Sequence, residues 1–215
     1  MAVVTLPTQD EERRLRAAGF PRVAGVDEAG RGPLAGPVVA GAVVLPDLTA
    51  SAAAELLLIR DSKMLSASQR RRAAALIHSL TDDIGIGVAS VDEIDEHGIA
   101  PATKLAMRRA LSGLRLPPDH LLVDAVRLDW NRLPCLALVR GDSLCTAIAA
   151  ASIVAKVHRD ALMDELDAVH PGYGFARHKG YAAPSHLEAL ARLGPSPAHR
   201  RSFAPLRLAL PHADA

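Results

Sequence analysis

Cysteine is nearly absent from these 215 residues. The two that occur, Cys135 and Cys145, have no Cys-x-x-Cys or His-Glu-x-x-His beside them, which excludes a disulfide framework and a zinc site and fits a reducing compartment. No apolar run is long enough to span a bilayer: the longest, Leu34 to Leu45, is interrupted by Pro37. Met1 to Phe20 lacks the basic-then-apolar order of a secretion signal. A soluble, cytoplasmic protein without membrane contact is expected, acting as a monomer. Net charge is only +1, so no bulk electrostatic preference for a polyanion can be read from it. Aromatics number six and lysines four, at 63, 104, 156 and 179, while arginine is abundant. Arginine over lysine, with much Ala, Leu and Pro, reads as genome composition rather than function. The few lysines and rings are therefore worth reading one by one.

What is present is apolar mass: 49% of residues are hydrophobic, enough to bury a full core. One domain is expected over 1–215, with a core at about 20–170 and a helical extension at about 171–215. The chain is organised around Val23 to Pro33, where a short apolar run passes into adjacent carboxylates, Asp27 and Glu28, and then a Gly30-Arg31-Gly32 turn. Val23–Asp27 and Pro37–Leu45 are β-rich and separated only by Gly and Pro, which predicts an antiparallel hairpin. Residues 1–20 predict a short exposed helix, and 46–60 an Ala-rich excursion. Ser66 is an N-cap for a helix through Leu80. A strand follows at Ile84–Ala89, then helices at Val91–His97 and Pro101–Leu114, the second ended by Pro117-Pro118. Strands at His120–Asp124 and Cys135–Val139 each lead to an acid. One long helix is predicted from Asp142 to His170, and its small apolar first half marks it as buried. A last helix is expected at Ser185–Leu193.

Asp27, Glu28, Asp124 and Asp142 are thus each placed at a strand end or helix start of one α/β sheet. Four clustered carboxylates repel one another unless divalent cations neutralise them. Oxygen-only ligands select Mg²⁺ or Mn²⁺ over Zn²⁺, and a carboxylate-held metal pair suits phosphodiester cleavage. Spacing alone leaves open that these are unrelated surface acids among the 24. Gly30 to Ala35 also fits the G-x-G-x-x-A of dinucleotide sites, but that motif must open a helix, and Pro37 with the β-rich run predicts another strand. Tyr173, Phe175 and Tyr181 fall near Arg177, His178 and Lys179. Rings among cations suit nucleic-acid stacking, while Tyr173 and Phe175 fit a small satellite core equally well.

Together, Val26-Asp27-Glu28-Ala29-Gly30-Arg31-Gly32, Asp61-Ser62-Lys63, Leu122-Val123-Asp124, Gly141-Asp142, Ala150 to Lys156, Arg159-Asp160, His178-Lys179-Gly180-Tyr181 and Arg201 to Pro205 resemble bacterial ribonuclease HII over about residues 20–206. The resemblance implies a ribonuclease H-like fold: a mixed five-stranded sheet flanked by helices, with a helical C-terminal extension. It implies hydrolysis of RNA in RNA–DNA hybrids and cleavage at single ribonucleotides in duplex DNA, leaving 3′-hydroxyl and 5′-phosphate ends, in ribonucleotide removal from DNA. By position, Asp27, Glu28, Asp124 and Asp142 become the catalytic, Mg²⁺- or Mn²⁺-binding carboxylates. Gly30, Arg31 and Gly32 would hold the 2′-hydroxyl and nearby phosphates, Lys63 a phosphate, and Tyr181 would stack on the next deoxyribose. The chain departs from the family at Ala125, where glycine commonly follows the third acid. The Asp-Glu pairing and the C-terminal Tyr motif set it apart from type 1 ribonuclease H, and four retained acids argue against a merely phosphate-binding module.

Overall fold

A computed structural model describes residues 6–48, 57–204 and 206. Five strands form its centre: β1 (Val23–Ala29), β2 (Val38–Val43), β3 (Ile84–Ala89), β4 (His120–Asp124) and β5 (Cys135–Leu138). Their order is β3-β2-β1-β4-β5. The expected β1–β2 hairpin is antiparallel, as is β2–β3, whereas β4 and β5 join parallel to the β1 side, so the sheet is mixed. The helices are α1 (Asp10–Ala17), α2 (Ala67–Leu80), α3 (Val91–His97), α4 (Ile99–Ser112), α5 (Gly141–Leu144), α6 (Thr146–Val169), α7 (Phe175–His178) and α8 (Pro184–Leu193). None is long and apolar enough to cross a membrane among the described residues.

The strand period of two sorts β1 between two layers. Ala24 and Val26 face α4, packing with Ala106, Met107, Leu121 and Val123. Val23 faces α6, with Leu122, Ala147 and Ile148. Each fully buried Leu here is worth about 1.5–3 kcal/mol. On the α6 side the helix comes so close that a Cβ on Gly25 would lie 2.1 Å from the Ala147 carbonyl carbon. The small residues of α6, Ala147 and Ala149 to Ala151, are what permit that approach.

Ser66 caps α2 as expected, in a reciprocal capping box with Gln69, and Ser90 with Glu93 does the same for α3. Other boundaries differ. The α4 helix begins at Ile99, with Pro101 in its first turn where no N–H is missed. It ends at Ser112, with Gly113 as cap, before Pro117 is reached. The predicted helix 142–170 is two helices, because Cys145 is extended (φ −122°, ψ 125°). The chain near Thr8 causes this break. Its N–H donates to the Leu144 carbonyl (3.1 Å) and its carbonyl accepts from Thr146 N–H (2.9 Å), while Glu12 Oε1 accepts from Ala147 N–H (2.8 Å) and caps α6. The leading helix is accordingly not simply exposed: Gln9, Glu12 and Leu15 are buried. Most of the Ala-rich excursion, 49–56, lies outside the described residues, as does Pro205.

Candidate active site

At the end of β1, Asp27 points to the α6 face and Glu28 to the other. One step beyond the last parallel pair, Val26 with Val123, Asp27 meets Asp124. Asp27, Glu28 and Asp124 line one cavity of about 210 Å³ with Gly30, Arg31, Gly32, Lys63 and Tyr181. Asp142 is not in that lining. It is buried in α5, where its neighbour Gly141 donates N–H to Asp124 Oδ1 (2.7 Å) and Lys63 Nζ, from the cavity lining, donates to Asp142 Oδ2 (3.4 Å). Among the described residues no three His, Cys, Asp or Glu side chains converge into a ready-made metal cage. Of the four expected acids the structure brings three into one cavity and leaves Asp142 outside its lining.

Burial raises the Asp27 carboxyl well above its ordinary range, and the charges of Glu28 and Asp124 raise it further, outweighing hydrogen bonds from Glu28 N–H and Ser152. Burial also raises Glu28, against the opposing pull of Arg31. Glu28 Oε1 lies 3.4 Å from Arg31, but Oε2 is buried with no partner among the described residues. Asp142 is raised by burial and by Asp61, with Lys63 opposing. A buried carboxylate oxygen without a donor, beside two further carboxylates, is a donor set that fits a hard divalent cation.

Ser62, Ser152 and Lys156 also line the cavity. Ser62 Oγ and Ser152 Oγ, 2.8 Å apart, fasten the Asp61-Ser62-Lys63 loop to α6. Burial lowers the Lys156 ammonium despite its pairing with Asp160. Ser152 and Lys156 stand in the sequence within the resembling run Ala150 to Lys156, but with no role attached to either. Lys179 does not join the cavity rim. It is paired with Asp164.

Two arginines shape the turn from beneath. Arg200 donates to the carbonyls of Gly30 (2.6 Å), Arg31 (2.9 Å) and Gly36 (2.9 Å). Arg159 donates to those of Pro37 (3.0 Å), Lys179 (3.1 Å) and Ala35 (3.2 Å). Both are fully buried, and among the described residues neither has a carboxylate in ion-pair range. Burial, and the charge of Arg159, push Arg200 down to about 9, so it remains a cation at neutral pH. The sequence marks Arg159 only as part of the Arg159-Asp160 motif of the resemblance, with no role attached, and does not distinguish Arg200 from the other arginines.

Tyr173 and Phe175 are stacked (5.3 Å) in a satellite core with Ala35 and Met163. Tyr181 instead is 48% exposed, its ring edge 3.9 Å from where a Cβ on Gly32 would sit. Nor does Gly30-x-Gly32 open a helix; β2 follows, and the dinucleotide motif fails as expected.

The family model for Ribonuclease HII matches residues 24–206. The chain is 50% identical over 206 residues to Ribonuclease HII of Dehalococcoides mccartyi, covering 96% of each. It is 53% identical over 196 residues to that of Geobacillus kaustophilus, covering 91% of this chain and 73% of the other. Among solved structures, ribonuclease H2 from Pyrococcus horikoshii is similar with a TM-score of 0.72 at 29% identity, covering 87% of this chain and 96% of that one. Paired acids at the end of the central strand, the glycine turn beside them and a match over nearly the whole chain lead to one conclusion: the chain belongs to the ribonuclease HII family, endonucleases that act on the RNA of RNA–DNA hybrids.

Proposed function

We propose that the family's reaction, removal of ribonucleotides from DNA by cutting beside them, is carried out here by Asp27, Glu28, Asp124 and Asp142 with Mg²⁺ or Mn²⁺. The observation that carries this is the unpartnered buried Oε2 of Glu28, in a cavity where Asp27 resists ionisation. Asp27, Glu28 and Asp124 would hold the ion, with Asp142 completing the set. What a divalent ion supplies at such a site is activation of a water and stabilisation of the leaving oxygen.

The chain's own groups do the positioning. Gly30 and Gly32 leave backbone open to the ribose, whose 2′-hydroxyl both donates and accepts. Exposed Arg31 and Lys63 flank the acids and meet phosphates, offsetting the repulsion between a polyanion and the carboxylates. Lys63 is raised on balance, since Asp142, Asp61 and Asp27 outweigh its desolvation, and it stays charged. The half-exposed Tyr181 ring closes the cavity against the next sugar. We further propose that 1–215 works as one catalytic unit, as a monomer in the cytoplasm.

The test is cleavage of a labelled duplex carrying one ribonucleotide, beside all-DNA and continuous-hybrid controls, with Mg²⁺, Mn²⁺ or chelator. Cleavage only at the ribonucleotide and only with metal, leaving a 3′-hydroxyl, is expected. Turnover in chelator, or near-normal turnover by Asp124→Asn, would reject the assignment.

A further inference from the structure

Tyr181 is held from behind. Its carbonyl accepts from Nδ1 of His186 at 2.7 Å, and His186 is fully buried. Nε2 of His186 lies 3.1 Å from Nε2 of His199, and Nδ1 of His199 accepts from Ser196 N–H at 3.0 Å. That last bond assigns every proton. A backbone N–H can only donate, so Nδ1 of His199 is bare and its Nε2 carries the hydrogen. Nε2 of His186 must therefore accept, which leaves its own hydrogen on Nδ1, aimed at Tyr181. Both rings are neutral. Burial lowers both, His199 to about 4, and neighbouring histidines oppose charging further: His178 for both rings, His170 for His199.

The segment so held would not keep its shape unaided. Lys179 (φ +53°) and Gly180 (φ +81°) are left-handed in succession, a conformation that strains a residue carrying a Cβ, as Lys179 does. Three successive carbonyls are fixed: Lys179 by Arg159, Gly180 by Leu34 N–H, and Tyr181 by His186 together with Ala183 N–H (2.8 Å). The first two fix the turn, and the third sets the peptide plane from which the Tyr181 ring projects toward Gly32. His178 stacks on His186 at 4.3 Å and keeps its ring from tilting.

We propose that His186, as the last member of a neutral Ser196, His199, His186 relay, is a positioning residue that aims Tyr181 at the sugar next to the ribonucleotide. This rests on the reading of Tyr181 given above.

Full-length enzyme with Mg²⁺ is assayed on a single-ribonucleotide duplex and on a continuous hybrid, and the ratio of kcat/KM on the two is compared. Tyr181→Ala comes first and should lower the ratio about tenfold, within the range of one lost stacking contact. An unchanged ratio there would remove the reading of Tyr181 itself. His186→Asn puts an amide N–H in place of Nδ1, whereas His186→Gln puts it in place of Nε2. Asn should hold the ratio within about twofold, and Gln should lower it as far as Tyr181→Ala does, with no further loss in the double variant. Given a working Tyr181, equal ratios for Asn and Gln, or losses that multiply in the double variant, would overturn the relay. Should a variant not fold, ¹⁵N-histidine spectra of the unmutated protein decide: His186 protonated on Nδ1 and His199 on Nε2 support it, and the opposite tautomers refute it.

Discussion

A Cβ on Gly30 would lie 1.9 Å from Nε of Arg159, so the glycine turn and the buried arginine beneath it fit together only while residue 30 has no side chain. Gly30 is also left-handed, at φ +95°. Gly30→Ala therefore combines overpacking with backbone strain, together about 2–5 kcal/mol. Urea denaturation should show the lower midpoint, and an unaltered midpoint would mean that the arginine moves aside freely.

Arg200→Lys should be nearly as harmful as losing the side chain. Three carbonyls share its planar fork, and an ammonium cannot serve Gly30, Arg31 and Gly36 at once. Each buried acceptor left bare costs about 1–3 kcal/mol. The expected result is a lowered melting temperature and a larger fall in cleavage; a variant with wild-type melting and activity would contradict the grip.

Asp27→Asn should abolish cleavage yet stabilise the metal-free protein. Activity should fall by more than about 100-fold, beyond what losses around a metal ligand cause. For stability, the folded state holds the Asp27 proton more tightly than the unfolded chain, whose carboxyl titrates near 3.8. Stability therefore declines as pH rises through the window from that value to the raised folded one, and stays lower above it. The variant escapes this decline, so its gain in melting temperature should be present at pH 7 and vanish near pH 3.5. Equal gains at both pH values would point to another cause.

Ala125→Gly should raise stability. Ala125 sits at φ +49°, with Val126 N–H donating to the Asp124 carbonyl at 2.6 Å, a tight three-residue turn that only glycine adopts freely. Relief of about 1 kcal/mol, partly offset by glycine's chain entropy, would lift melting by roughly 1–4 °C in a protein of this size. A drop in melting temperature would show that the turn is unstrained.

Lys63→Ala should weaken binding to all duplexes alike, because a phosphate contact carries no sequence or sugar information. The slope of log affinity against log salt should flatten by about 0.9, read by fluorescence anisotropy in metal-free buffer. Loss confined to ribonucleotide-containing duplexes would reassign the residue.

The sheet was legible because its signals are local. Alternating apolar runs, the Gly and Pro between β1 and β2, and the cap at Ser66 act within a few residues of where they are read. Asp27, Glu28 and Asp124 were legible for the same reason, as acids closing apolar runs. The break at Cys145 was not, since its cause is Thr8, far away in sequence, and alanine-rich flanks carry no mark of a strand-like bridge. Arg200 and the role of Arg159 escaped because carbonyl acceptors leave no residue-type pattern: any backbone can accept. Lys179, read among the cations that suit nucleic-acid stacking, pairs instead with Asp164, which lies on a helix whose rotation the sequence alone does not fix.

The hydrogen bond from Arg200 to Gly30 spans 170 residues, and this has a consequence for synthesis. A chain still on the ribosome makes its sheet strands and all four acids long before residue 200 leaves the exit tunnel. Until then the turn meant to meet nucleic acid lacks its hold. Competence to cut is therefore expected to follow that late contact and not the earlier closing of the sheet. A chain stopped at Gly194 is expected to retain the sheet by circular dichroism yet leave a ribonucleotide-containing duplex uncut, and cutting by such a fragment would show that the hold is dispensable.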